Sequence, residues 1–320
     1  MIEINIKSQR QSNLMPVNSQ ACFSKPAPST LTTYYNFFQP LQLFPIFITP
    51  IQKTMLQNKN AIIYAAGGSL GGAIAKAFAA AGATVFLSGR NLASVQKVAD
   101  EISASGGKAH AAQLDAMDEK AVNDYVSQVV QQAGTIAISF NLIDLQVVQN
   151  LPLVDMSLAD FVRPANIALQ SHFITDVAAA RVMMKQGSGV ILSLTATPGG
   201  IGYPFTAGFA PACAAMESFS RNLAGETGKY GVRVVNIRSG GSPDSKVFAD
   251  AVADHPDVMK VVLKRMENDS MLKKLPLMAD IANTAVFLAS DMAAAITGVT
   301  VDTSCGTTAG LNYRSTDEGF

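Results

Sequence analysis

From Asn60 onward, short apolar runs alternate with longer stretches whose apolar residues recur at helical spacing. Ala61–Tyr64 is a continuous apolar run of strand length. A glycine-rich turn follows it, Gly67-Gly68-Ser69-Leu70-Gly71-Gly72. Ala73–Ala81 is alanine-rich and ends at Gly82, a residue type that stops helices by taking up the left-handed conformation. Thr84–Leu87, Ala109–Leu114 and Ile136–Phe140 read as further strands, with helical stretches at Leu92–Ala104 and Glu119–Gln132 between them. The alternation continues through a helix at Phe161–Lys185, a strand at Gly189–Leu194, a helix at Gly208–Lys229 and a strand at Val232–Ile237. Pro164 falls in the first turn of its helix, where the missing N–H costs little. Loops and helices fill Ser239–Ser290, and Val299–Asp302 is the last strand. Strands that are apolar at every position are buried on both faces, as in parallel sheets covered by helices. The pattern predicts one doubly wound α/β domain, a seven-stranded parallel sheet with helices on both faces.

The first 54 residues break the pattern. They are rich in Gln, Asn, Ser and Pro, and Pro16, Pro26, Pro28, Pro40, Pro45 and Pro50 interrupt any helix. We read residues 1–54 as a disordered leader, with Met55 as an alternative start, and residues 55–320 as the folded domain. The apolar run Leu41–Ile51 is too short to span a bilayer and is broken by two prolines. It also lacks the basic start and cleavage site of a secretion signal.

Composition narrows the functional classes. Lysine plus arginine number 24 and aspartate plus glutamate 24, so no basic surplus is available to offset nucleic-acid phosphates. Three cysteines, Cys22, Cys213 and Cys305, have no CxxC spacing and read as free thiols in a reducing cytoplasm. His110, His172 and His255 lie far apart, without the spacing of a metal site.

The candidate chemistry begins at the glycine turn. A strand, a glycine turn and a helix N-terminus together present bare backbone N–H groups to a pyrophosphate. Further along stand Ser88-Gly-Arg-Asn91, Leu114-Asp115, Phe140-Asn141, Asn166, Gly231-Val-Arg-Val-Val-Asn236, Phe287-Leu-Ala-Ser-Asp291, Thr297-Gly298 and Val301-Asp302. In this order, over about Asn58 to Gly310, the chain resembles the short-chain dehydrogenase/reductase family. The resemblance implies a single Rossmann-type domain, a nicotinamide dinucleotide and oxidoreductase chemistry.

It also implies a set of cofactor positions. The phosphate turn is Gly67, Gly68, Ser69, Leu70 and Gly71. Ser88, Arg90 and Asn91 follow the second strand, Asp115 and Ala116 the third, and Asn141 and Leu142 the fourth. The family's TGxxxGxG falls on Tyr64 to Gly71, with Ala65 and Ser69 replacing its first two glycines. NAD-specific members carry an acidic residue near Gly89. Here Arg90 follows instead, and an arginine suits the 2′-phosphate of NADP, so NADP is expected over NAD.

The catalytic set departs further. The family uses Asn, Ser, Tyr and Lys. Glu217 anchors the alignment and places Cys213 at the lysine, Phe209 at the tyrosine and Ala196 at the serine. Asn166 is matched to the asparagine, and Tyr203 is the nearest remaining phenol in the loop before Phe209. Acid–base help of this kind is typically worth about 10² to 10⁴ in rate. Two readings follow: an atypical NADP(H)-binding oxidoreductase of unknown substrate without the usual Tyr/Lys proton chemistry, or an inactive nucleotide-binding sensor or scaffold. Pro243–Leu277 is expected to form a substrate lid, with Met259, Met266, Met271 and Met278 as an adaptable apolar wall. The family's mode of assembly implies a homodimer or homotetramer through the helices at Phe161–Lys185 and Gly208–Lys229.

Overall fold

The computed structural model describes residues 54–310. The leader reading, Thr54 apart, and Cys22 lie outside the described residues. The strands are β1 (Asn60–Tyr64), β2 (Thr84–Gly89), β3 (Lys108–Gln113), β4 (Ile138–Asn141), β5 (Gly189–Ala196), β6 (Val232–Ser239) and β7 (Thr300–Thr303). The helices are α1 (Ser69–Ala80), α2 (Leu92–Ala104), α3 (Glu119–Ala133), α4 (Leu158–Gln186), α5 (Phe209–Thr227), α6 (Lys246–Asp254), α7 (Pro256–Asp269), α8 (Met278–Ala289) and the short α9 (Thr307–Gly310).

All seven strands are parallel, in the order β3-β2-β1-β4-β5-β6-β7. The chain winds outward from β1 to β3, then crosses back to lay β4 beside β1. That reversal opens a crevice at the carboxyl ends of β1 and β4. Alternate strand residues point to opposite faces. Ile63, Leu87 and Phe140 pack with Phe78 of α1, Val95 of α2 and Ile281 of α8. Ile62, Phe86 and Ile191 pack with Val126 of α3, Ile174 of α4 and Leu223 of α5. Met55 packs against the first of these cores and Leu56 is fully buried in it.

Several boundaries differ from the apolar pattern, each for a local reason. α1 starts at Ser69 rather than Ala73, because the glycines enter its first turn. A Cβ on Gly71 would stand 2.5 Å from the Ala65 carbonyl oxygen, so only glycine fits there. β4 runs from Ile138 because its ladder with β1 begins at the pair Ala61–Ile138. Ile136 precedes that ladder, and its N–H donates to the Gln186 side chain at 2.9 Å. α4 starts at Leu158, where the Ser157 hydroxyl accepts from the Asp160 N–H at 3.1 Å. Pro164 is therefore inside the helix, not in its first turn, and the bond to the Asp160 carbonyl is absent. β5 and β6 each run two residues beyond their apolar stretches, pairing Thr195 with Arg238 and Ala196 with Ser239.

Candidate functional site

The phosphate turn joins β1 to α1. Ala65 holds φ at +57°, a left-handed conformation that costs a non-glycine residue about 1 kcal/mol or more. The Ala66 N–H donates to the Ser88 carbonyl at 3.0 Å and the Gly68 N–H to the Ala65 carbonyl at 3.2 Å, which fix the turn. Gly68, the N-cap of α1, brings no side-chain cap, so the first amides of the helix face the crevice without a side-chain acceptor. Ser69 begins the helix, and its Oγ accepts from the Lys246 backbone N–H of α6 at 3.2 Å. Leu70 is partly buried against the core.

Arg90 is exposed beyond β2, and among the described residues no acidic side chain pairs with its guanidinium. Its carbonyl accepts from Gln113 Nε2 at 3.1 Å, which joins the ends of β2 and β3. Asp115 is exposed at the same rim, and its Oδ1 accepts from the Met117 N–H at 3.0 Å. Gly68, Ser69, Arg90 and Asp115 are exposed beyond the carboxyl ends of β1, β2 and β3, whereas Gly71 is buried against the Ala65 backbone.

The other expected cofactor positions also have roles in the fold. Ser88 is 1% exposed within the sheet, behind the turn rather than at its surface. Asn91 caps α2, its side chain accepting from the Ser94 N–H at 3.2 Å. Ala116 lies in the core on the α3–α4 side of the sheet, and Leu142 packs against the core on the opposite side. Asn141 is 1% exposed; its Nδ2 donates to Thr175 Oγ1 at 3.0 Å and its Oδ1 accepts from the Ile143 N–H at 3.0 Å. Both ends of that amide are spent on tying β4 to α4 and to its own loop.

The second half of the site lies at the end of β5. A 3-10 turn, Thr197–Gly199, carries the chain from Ala196 over the start of α5. A Cβ on Gly208 would stand 1.9 Å from the Phe161 carbonyl oxygen, so glycine is what lets α5 begin so close to α4. Phe209 opens α5 and packs beside Leu145, Ala168, Ala212 and Met216. Cys213, one turn on, is fully buried. Burial pushes its thiol up to about 12, against the pull of the Ala196 amide, which favours the thiolate. At neutral pH it is a thiol and carries no charge.

Asn166 does not join this group. It is exposed, whereas Ala168 faces Ala212 and Met216. Two residues turn a helix by about 200°, which directs Asn166 to the opposite face of α4. Tyr203 belongs to the lid side of the loop. Burial raises its phenol pKa, Asp269 of α7 raises it further and Arg265 opposes them.

The apolar pattern did not single out the charged centre beneath this site. Glu217 Oε1 accepts from Arg238 Nε at 3.0 Å, Oε2 accepts from Arg238 Nη2 at 2.5 Å, and Thr195 Oγ1 donates to Oε1 at 2.9 Å. Asp302 Oδ2 lies 3.6 Å from Arg238 Nη1. Asn236 Nδ2 donates to Thr195 Oγ1 at 2.7 Å, and Ser193 Oγ donates to Asn236 Oδ1 at 2.8 Å. A second buried pair, His172 Nδ1 and Asp176 Oδ2 at 3.0 Å, lies within α4 and makes His172 a packed residue. Among the described residues no helix is long and apolar enough to cross a membrane.

A parallel sheet with a phosphate turn at its reversal point and a second cluster at the β5–α5 junction defines a dinucleotide-type oxidoreductase scaffold. The family model described as "Enoyl-(Acyl carrier protein) reductase" matches residues 65–308. The chain is 30% identical over 257 residues to the 7alpha-hydroxysteroid dehydrogenase of Escherichia coli (strain K12), covering 80% of this chain and 97% of that one. Among solved structures, a hydroxysteroid dehydrogenase from Escherichia coli superposes with a TM-score of 0.67 at 29% identity, covering 80% of this chain and 99% of that one. A xylitol dehydrogenase solved with NAD+ bound shares the fold, with a TM-score of 0.73 at 24% identity, over 78% of this chain and 99% of that one. The chain belongs to the short-chain dehydrogenase/reductase family of oxidoreductases.

Proposed function

We propose that this chain is an atypical NADP(H)-binding oxidoreductase that transfers hydride without the tyrosine–lysine proton pair of its family. The observation that carries the reading is the β5–α5 junction. Ala196, Phe209 and Cys213 stand where the resemblance puts serine, tyrosine and lysine, and Cys213 is buried with its thiol pushed up to about 12. None of the three exchanges a proton at neutral pH, so the substrate's proton comes from water or from a donor outside this trio.

The residues of the crevice fit a dinucleotide. Gly71, where a Cβ would strike the Ala65 carbonyl, lets α1 begin tight against the turn, and the first amides of α1 lack a side-chain acceptor. Gly67, Gly68, Ser69 and Gly71 would hold the pyrophosphate, and Asp115 would face the adenine. Arg90, exposed and unpaired among the described residues, would take the 2′-phosphate. A bound nicotinamide supplies the hydride chemistry. The free, buried Cys213 and the free Cys305 accord with a cytoplasmic protein. The reading as a nucleotide sensor has one observation in its favour: Arg238, a cation close enough to act on Cys213, is already held by Glu217 and Asp302.

We further propose that the chain forms a homodimer or homotetramer through α4 and α5. Phe173 and Leu169 on α4 are 53% and 42% exposed, and Phe173 leans on Phe219 of α5 with ring centroids 6.4 Å apart.

Titration with NADPH and NADH tests the cofactor reading. NADPH is expected to bind roughly ten- to a hundredfold more tightly, and Arg90→Ala to remove the difference, since a charge-assisted bond is worth about 1.5–3 kcal/mol. Equal affinities in the parent protein would overturn it.

A further inference from the structure

We infer that Ser69 is a latch that ties the lid helix α6 to the phosphate turn and couples nucleotide occupancy to lid closure. The coupling, though not the latch, rests on the nucleotide reading above. Three observations lead here.

The first is the bond itself. Ser69 Oγ accepts from the Lys246 N–H at 3.2 Å, across 177 residues of chain. Ser69 stands where the family motif places its middle glycine, so a side chain is present only because this chain departs from that motif. The second is the condition of α6. Ser245, its N-cap, makes no side-chain cap, and Lys246 is its first residue. That amide belongs to the set a helix leaves without an internal partner, and Ser69 supplies one. The third is how lightly the lid is held. Neither α6 nor α7 has a buried residue. Its polar ties to the body include Asp244, whose carboxylate accepts from the Met278 N–H at 3.0 Å, and the Leu272 N–H, which donates to the Cys305 carbonyl at 3.1 Å. In so sparsely packed a segment, one hydrogen bond weighs heavily on opening.

The hydroxyl has one hydrogen and two lone pairs. In the structure it uses a lone pair toward Lys246, and none of the described residues accepts its hydrogen. The hydrogen is free to go to a pyrophosphate oxygen at the turn. A hydroxyl that donates becomes a better acceptor, so an occupied turn strengthens the bond to α6. Occupancy and closure then favour each other through one atom. Ser69 is a positioning residue in this account, not a catalytic one.

Hydrogen exchange across α6 tests it in two arms. In the nucleotide-free protein, Ser69→Ala is expected to speed exchange at the first turn of α6 about fivefold, the worth of one neutral hydrogen bond, while Ser69→Thr keeps the parent rate. Ser69 is exposed at the first position of α1, so its loss should leave the melting temperature unchanged, and that is measured alongside. Unchanged α6 exchange in Ser69→Ala overturns the latch. In the second arm, saturating NADPH is added. The parent is expected to gain protection in α6, and Ser69→Ala to bind NADPH without that gain. Equal protection in both proteins overturns the coupling. If the parent binds neither NADPH nor NADH, the nucleotide reading and the coupling both fall, and the first arm still decides the latch.

Discussion

Gly199 crosses directly over Cys213: a Cβ on the glycine would lie 2.7 Å from the cysteine Cβ and 2.9 Å from Glu217 Oε1. The 3-10 turn after β5 and the first turns of α5 are therefore in contact along the glycine's open side. Gly199→Ala pushes a methyl group into atoms that cannot all withdraw. It is expected to lower stability by about 1–3 kcal/mol, the usual cost of overpacking. Urea unfolding measures the loss. Pairing it with Cys213→Ala removes only the sulfur and leaves the Cβ, so that pair should recover little.

Stability should fall at alkaline pH. Burial lifts the Cys213 thiol from its ordinary 9.0 to about 12 and raises the phenols of Tyr64 and Tyr125 above their ordinary 10.0. Such acids stay protonated in the fold while the unfolded chain ionises. Their contribution is intact below the unfolded pKa and is lost as pH rises toward the folded one. Melting temperatures should hold through neutral pH and decline from about pH 9 upward. Cys213→Ala and Tyr125→Phe should each flatten that decline. A profile level to pH 11 would contradict the assignment.

The Glu217–Arg238 pair should behave as a buried ion pair. Their side chains are 6% and 14% exposed. Glu217→Gln removes the negative charge and the Oε2 acceptor of Arg238 Nη2, leaving Asp302, at 3.6 Å, as the remaining carboxylate beside the guanidinium among the described residues, while the amide oxygen can still accept from Thr195. A loss of about 3 kcal/mol is expected, whereas Glu217→Gln with Arg238→Met should cost clearly less than the sum of the single changes. Denaturation of the four proteins gives the coupling directly. Additive losses would mean that the pair does not act as a unit.

These results show which features a sequence can expose. The sequence pattern located all seven strands; burial on both faces accounts for β1, β2, β4, β5 and β6, whereas the edge strands β3 and β7 have no buried residue. The same criterion stopped too early at β5 and β6, whose last residues, Thr195–Ala196 and Arg238–Ser239, are polar or small yet remain in the ladder. Glu217 was legible only as an alignment marker. Its role depends on Arg238, 21 residues on, and Asp302, which only the fold brings together. Asn166 is exposed on α4, which the alignment alone did not reveal. It lies two residues from Ala168, and on a helix that separation changes the face. Pro164 misled about the start of α4, because the Ser157 cap fixes the start earlier than the proline suggests.

Assembly gives a fourth prediction. If α4 and α5 meet a second copy, Phe173 is covered there. Phe173→Asp should shift light scattering from an oligomer to a monomer without unfolding the chain, since the residue is 53% exposed in the single subunit. A parent protein that is monomeric at micromolar concentration would contradict the assembly outright.

The last prediction concerns chemistry. Reduction of simple ketones should be very slow or undetectable, because Phe209 has no proton to give and the buried thiol of Cys213 is no ammonium. Restoring side chains singly should gain little. A tyrosine at position 209 without a neighbouring lysine keeps a pKa near ~10 and is a poor acid–base group at neutral pH. A lysine at position 213 without the tyrosine has no proton to tune, and it must also pass beneath Gly199, which leaves no room above the present Cβ. Phe209→Tyr, Cys213→Lys and Ala196→Ser together are expected to yield measurable NADPH-dependent carbonyl reduction, provided that the 3-10 turn yields to the longer side chain. Stopped-flow traces of NADPH oxidation, with the four variants compared at one ketone concentration, make the comparison. The parent protein carries the decision. Brisk turnover of a simple ketone by the unaltered chain would show that a proton reaches the substrate from another group. Tyr203→Phe would then be the first variant to make, because that phenol borders the lid, where burial and Asp269 raise its pKa and keep it protonated. Loss of turnover in that variant, with NADPH affinity unchanged, would move the proton donor from solvent to Tyr203.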